Sequence, residues 1–152
     1  MRYFLDTEFN GFGGQLISLA LVPEHSDQEF YASLPLPDDL HPWVAQHVVP
    51  YLRHVPPAMD HELTRDQAAD HVAAYLSGDP EPRIIADWPD DIAHFCQLLL
   101  TGPGQMVTVP RLTFELINAA GFSSAANSRV PHNALHDARA LRDFDFAYGQ
   151  MM

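Results

Sequence analysis

Three short stretches of this chain carry residue types suited to hard cations and proton transfer. Asp6-Thr7-Glu8 closes an apolar run that starts at Arg2 and precedes the turn-forming Asn10-Gly11-Phe12-Gly13-Gly14. Side chains alternate along a strand, so Asp6 and Glu8 share one side and Thr7 takes the other. Two carboxylates side by side repel unless water or a divalent cation neutralises them. Asp87-Trp88-Pro89-Asp90-Asp91 sets three acids at a strand-to-helix junction. Capping and the helix dipole account for Asp87 and Asp90 more readily than for Asp91. His132-Asn133-Ala134-Leu135-His136-Asp137-Ala138 puts a histidine ahead of a helix and Asp137 beside its apolar face, with no base at 133 or 141 to pair the acid. An oxygen-rich set of this kind suits Mg2+ or Mn2+ better than zinc. Two such ions about 3.5–4 Å apart clamp a phosphodiester and activate water. A nearby imidazole completes the set as a proton acceptor near neutral pH.

These residues need elements to position them. Arg2–Asp6 reads as a buried strand and Gln15–Val22 as a second one ended by Pro23, joined in an antiparallel hairpin; Glu29–Ser33 extends the meander. After Pro35, Pro37 and Pro42, residues Trp43–Arg53 read as a helix limited by Pro50. Thr64 and Gln67 form a capping-box pattern for a helix to Ser77, with Ala68, Val72, Tyr75 and Leu76 on its apolar face and Gly78 at its close. Arg83–Ala86 is a short strand, and Asp91–Leu100 a helix stopped by Gly102-Pro103. Met106–Val109 and Leu112–Ile117 are apolar without a clear period, and Ser123–Pro131 is a polar loop. Asn133–Gly149 reads as a last helix with Ala134, Leu135, Ala138, Leu141 and Phe144 inward. This order predicts an α/β fold: an antiparallel meander plus parallel strands, with helices on both faces.

Composition narrows the function further. The 152 residues are 47% hydrophobic and 18% charged, which fits one folded domain over 1–152. No apolar run approaches the roughly 18 residues of a membrane span. Asp6 interrupts the N-terminus too early for a signal-peptide apolar region, and the single Cys96 excludes a disulfide framework, so a cytoplasmic protein is expected. The net charge is −12, from twenty acids against eight bases, all of them Arg. That balance argues against coating long duplex DNA, yet leaves room for a short nucleic acid held through metal ions. Residues 111–142 reverse the trend, with Arg111, Arg129, Arg139 and Arg142 against Glu115 and Asp137. Other patterns lead nowhere. His47, His54 and His61 recur every seven residues, but prolines break any shared helix. Gly11-x-Gly13 lacks the third glycine of a dinucleotide fingerprint, position 16 being Leu16.

Phe4-Leu5-Asp6-Thr7-Glu8-Phe9, an acid at the start of a middle helix, and His-x-Ala-x-x-Asp-Ala at 132–138 follow one another in a telling order. In this the chain resembles, over its whole length, the DnaQ-like DEDD superfamily of 3′–5′ exonucleases. The third motif resembles that of the histidine-bearing (DEDDh) subgroup. The Met-Arg-Tyr-Phe opening, and Asp91 followed by Cys96-Gln97-Leu98, look most like its small bacterial (mycobacterial) exoribonuclease branch. The resemblance implies a ribonuclease H-like fold, two Mg2+ or Mn2+ ions and release of 5′-monophosphates. It also implies short single-stranded or 3′-overhang substrates, RNA favoured over DNA, and a possible homodimer. Residue by residue, it makes Asp6, Glu8 and Asp137 ligands of the nucleophile-side metal, with Asp6 shared by the second. Asp91 becomes the middle acid and His132 the general base. The superfamily's middle motif has a His-Asn pair before Phe-Asp, whereas this chain has Asp-Trp-Pro-Asp-Asp, so Asp87 is the alternative middle acid. Thr7, Phe9 and Asn10 fall where the family holds the 3′-terminal nucleotide. Phe12 and Trp88 are candidates to stack on a base, and Arg129 or Arg139 to meet phosphate. The alternative function is a catalytically inactive nucleic-acid or nucleotide-binding module on the same fold.

Overall fold

The computed structural model describes residues 1–149. Its centre is β1 (Arg2–Phe9), the middle strand of a five-stranded sheet ordered β3-β2-β1-β4-β7. β2 (Leu16–Pro23) runs antiparallel to β1, and β3 (Phe30–Ser33) antiparallel to β2. β4 (Arg83–Ala86) is parallel to β1, and β7 (Thr113–Leu116) parallel to β4. The sheet is therefore mixed and the fold α/β, as the order of apolar runs predicts.

Strand alternation sorts the core into two layers. Tyr3, Leu5, Leu19, Leu21 and Ile84 pack against α2 (Arg65–Leu76) and α3 (Pro89–Leu98). Ala20 and Val22, and separately Phe4 and Ile85, pack against α5 (Ala134–Tyr148). α2 starts where its capping box predicts: the Thr64 hydroxyl accepts from the Gln67 N–H, and the Gln67 side chain accepts from the Thr64 N–H. Tyr75 and Phe144, expected inward, are only half-buried.

Several boundaries differ from the sequence reading. The helix expected over Trp43–Arg53 is α1 (Pro42–His47), followed by a 3-10 turn at Val49–Tyr51. Pro50 lacks the N–H of a helical turn and its ring crowds the carbonyl four residues back, so the regular helix ends early. α3 begins at Pro89 and ends at Leu98, and Gly102-Pro103 turns a small hairpin of β5 (Leu100–Gly102) and β6 (Gln105–Met106). The loop expected over 123–131 contains α4 (Ser124–Asn127), whose start is capped by the Ser123 hydroxyl. No described helix is long and apolar enough to cross a membrane.

The difference that positions the site is the length of β1. It continues through Asp6-Thr7-Glu8 to Phe9, so the acids lie within the strand and not after it. Its ladder with β4 covers only Arg2, Tyr3 and Phe4, while the ladder with β2 runs on to Phe9. From Leu5 onward one side of β1 has no strand beside it. That opens a crevice beyond the carboxyl ends of the parallel strands, where open α/β sheets bind ligands.

Candidate functional site

The crevice is a cleft of about 480 Å3, and Asp6, Glu8, Asp87, Asp91, His132 and Asp137 all line it. Asp6 and Glu8 have the parity of Phe4 and so face α5. Thr7 has the parity of Leu5 and faces α3, where its hydroxyl donates to Asp91 Oδ1 at 2.6 Å. Glu8, His132 and Asp137 each offer one ligand atom, all within 4.8 Å of one another, a group able to hold a metal ion. Asp6 and Asp91 stand outside that trio but in the same cleft.

Two buried carboxylate oxygens, Asp6 Oδ2 and Asp137 Oδ1, have no hydrogen-bond partner among the described residues. Buried polar atoms are rarely left so. Both belong to the three acids, with Glu8, that the family resemblance would set at one metal, and oxygen donors of this kind fit a hard divalent cation. Asp137 uses its other oxygen structurally: Oδ2 accepts the His132 backbone N–H at 3.1 Å. His132 has φ 68°, the one positive φ outside glycine among the described residues. That conformation costs roughly 1–2 kcal/mol and is held by its surroundings. Asn133, fully buried, caps α5 by accepting from the Leu135 and His136 N–H groups and donates to the Tyr51 carbonyl.

The carboxyl groups oppose one another. Burial, then the Asp91, Glu8 and Asp137 charges, push Asp6 well above the usual carboxylate range. Burial, then Asp137 and Asp91, do the same to Glu8. Burial takes Asp137 up to about 6 and Asp91 up to about 7, the latter against the Thr7 hydrogen bond. Burial also raises Asp87. Like charges in a low-dielectric cleft cannot all ionise, so such a group holds protons or binds a cation. His132 shifts the other way: burial and the neighbouring His47 lower it, which favours the neutral imidazole.

Of the two middle acids, Asp87 is not a helix cap. Trp88 occupies the N-cap position of α3 and no side chain caps it. Asp87 and Asp91 both line the cleft, but Asp91 is 3% exposed and tied to β1 through Thr7.

The expected substrate contacts divide. Phe9 lines the cleft and stacks on His94, with centroids 4.6 Å apart. Phe12 is fully exposed on a tip between Gly11 and Gly13, whose φ values of 75° and 72° suit glycine. Trp88 is 58% exposed at the cleft mouth, so it is not a core residue. The Thr7 hydroxyl is committed to Asp91. Asn10 falls outside the cleft, because its amide donates to the Asp39 carbonyl and accepts the His41 N–H, pinning that loop. Arg129 lines a different cavity, and Arg139 is held by Glu29.

The structure adds residues that sequence reasoning missed. A second cleft of about 400 Å3, lined by the expected Phe9, Phe12 and Trp88 and by the unforeseen His41 and Trp43, shares Glu8 with the first. Trp43 stands 5.0 Å from the His132 ring and 4.8 Å from His47. His47, set aside as part of a broken heptad, thus lies beside the cleft histidine. Its only sequence signal was the spacing of Trp43 and His47 on one helical face behind Pro42. In sequence the chain matches no protein-family model and no curated protein, so the chemistry of the cleft rests on the geometry above.

Proposed function

We propose that the cleft is the active site of a metal-dependent 3′–5′ exonuclease of the DEDDh type on a ribonuclease H-like sheet. Its substrate is short single-stranded or 3′-overhang nucleic acid, RNA before DNA. The observation that carries this reading is the convergence of acids with raised pKa and two partnerless buried carboxylate oxygens beside a strained, neutral-leaning histidine. Two Mg2+ or Mn2+ ions held by Asp6, Glu8, Asp137 and Asp91 would supply charge neutralisation, a clamp on the scissile phosphate and a more acidic water.

The chain's own groups do the rest. The His132 imidazole accepts a proton from the attacking water, and burial beside His47 keeps it available. Water adds to phosphorus, the bond to the 3′ oxygen breaks, and that oxygen takes a proton from solvent water to leave as the 3′-hydroxyl of the shortened strand. The product is a nucleoside 5′-monophosphate. The Asp137 bond to the His132 N–H fixes the base loop relative to the ligand carboxylates. Phe9, Phe12, Trp43 and Trp88 give the terminal bases aromatic faces to stack on.

The test is a gel time course with 5′-labelled RNA and DNA of one sequence in Mn2+, Mg2+ and EDTA. A metal-dependent ladder shortening from the 3′ end is expected, with RNA faster. His132→Ala should slow it by about 10²–10⁴-fold. No shortening of either polymer, with oligonucleotide still bound, would replace the enzyme by a binding module.

A further inference from the structure

A second charged cavity, of about 220 Å3, lies between the end of α4 and the outer side of α5. Its character is the opposite of the acidic cleft: Asn127, Arg129, His136, Arg139 and Arg142 line it, with Asp143 the one acid. Not every cation there is available. Arg139 is neutralised by two bonds to Glu29, at 2.7 and 2.6 Å, and His136 Nε2 meets the His54 carbonyl at 2.8 Å. Arg142, 23% exposed, meets its exposed neighbour Asp143 through Nε alone, at 3.0 Å, which leaves the two terminal guanidinium nitrogens without a partner among the described residues. Arg129 is exposed and makes no ion pair among the described residues. Asn127 accepts the Ser123 N–H through Oδ1, which leaves its amide N–H groups to donate outward.

The cavity is placed to continue the acidic cleft. Ser123 and Ser124, at the start of α4, line the acidic cleft, and Asn127, at its end, lines the basic cavity. The four residues of α4 rise about 6 Å, comparable to the step between successive phosphates of a single strand. The aromatic cleft adjoins the acidic one through Glu8, Phe9, Trp43 and Trp88, none of which lines the basic cavity. A chain with charge −12 that must receive a polyanion has few places to hold phosphates, and residues 111–142 carry four of its eight Arg.

We infer that this cavity is a phosphate-binding site for the substrate backbone on the 5′ side of the bond that is cut. Arg129 and Arg142 are its ionic contacts and Asn127 its neutral donor. The inference rests on the nuclease reading above and deepens it: the enzyme grips strands long enough to cross α4, and loses that grip on the last dinucleotide.

The experiment compares wild type, Arg129→Ala/Arg142→Ala and Arg129→Lys/Arg142→Lys on a labelled RNA dinucleotide and on an oligomer of about ten nucleotides. For the double-alanine variant, KM on the long strand should rise about tenfold with kcat retained, and the effect should shrink to under about twofold on the dinucleotide. The salt dependence of long-strand binding should become shallower by roughly 0.7 for each arginine–phosphate pair removed, and the lysine variant should recover most of the affinity. An equal effect at both lengths, or none on the long strand, overturns the inference while nuclease activity stands. Should wild type cleave neither substrate, the nuclease reading fails. Anisotropy of the long oligomer in EDTA then decides the cavity: weaker binding by the double-alanine variant supports it, and equal binding overturns it.

Discussion

The two halves of β1 belong to one strand, share one antiparallel neighbour and differ completely in what they bury. Tyr3 and Phe4 lie between β2 and β4, and together with Leu5 they meet helices on both faces, with almost no exposure. Asp6, Thr7 and Glu8 keep the β2 ladder without β4 on their other side, and their carboxyl groups meet Asp91 and Asp137 instead of apolar side chains. The first half is stabilised by burial, about 1.5–3 kcal/mol for each large apolar side chain. The second half is destabilised by the same burial, because four carboxylates are kept from water with no arginine lining their cleft and with a histidine whose neutral form is favoured. One strand thus holds a packed core at one end and stored electrostatic strain at the other. Strain that persists beside so well-packed a region points to function.

The largest effects should come from exchanging what the two halves supply. Leu5→Ala removes a fully buried side chain and should cost about 2–5 kcal/mol of stability, read by thermal or denaturant unfolding. Asp6→Asn should do the reverse. It removes one of the mutually repelling charges and should raise the melting temperature of cation-free protein at pH 8, while strand shortening falls at least about a thousandfold. A lower melting temperature for Asp6→Asn under those conditions would break the comparison.

Acid should relieve the second half. The unfolded chain loses its carboxyl protons near pH 4, whereas the folded chain keeps those of Asp137 to about 6 and Asp91 to about 7. Between these limits the folded state binds more protons, so stability falls as pH rises, by about 1.4 kcal/mol per pH unit for each proton so held, and levels off above. The lowered His94, His132 and His136 act in the opposite sense nearer pH 6.5. Comparing wild type with Asp91→Asn in EDTA isolates the acid contribution. The wild-type melting temperature should drop more steeply from pH 5 to pH 8 than that of the variant. Mn2+ should restore stability at pH 8 and do little at pH 5. Identical profiles for the two proteins would remove Asp91 from the buried acid group.

Sequence alone reached far into this arrangement and stopped for physical reasons. The alternation that puts Asp6 and Glu8 on one side and Thr7 on the other is a property of any strand, so it could be read locally. The Thr64–Gln67 capping box is equally local. The opening of the cleft was not legible, because it depends on how far β4 follows β1, a matter of pairing between residues some eighty positions apart. Asp87 was assigned a capping role from its position, yet the chain enters α3 one residue later, at Trp88. Trp43 and His47 could not be placed beside His132, because only tertiary packing joins α1 to the turn before α5. The positive φ of His132 was not legible either, because histidine is only enriched in that region and the other eight histidines do not adopt it.

The smallest expected effect tests the one residue that belongs to both halves. Thr7 sits between the two acids but faces the packed side, and its hydroxyl is what ties β1 to Asp91. Thr7→Val keeps the shape and removes the donor. Asp91 then loses the bond that opposes its burial, so its carboxyl should hold a proton to still higher pH. Stability should fall by about 1–2 kcal/mol, with a several-fold weaker Mn2+ affinity at pH 7 that narrows as pH rises. Thr7→Ser restores the donor and should recover the Mn2+ affinity, though not all of the packing. If Thr7→Val loses stability but binds Mn2+ as wild type does, the Thr7–Asp91 bond serves the core alone. Asp87 would then take the middle acid's place at the cation, and the boundary between the two halves would lie one side chain further along β1.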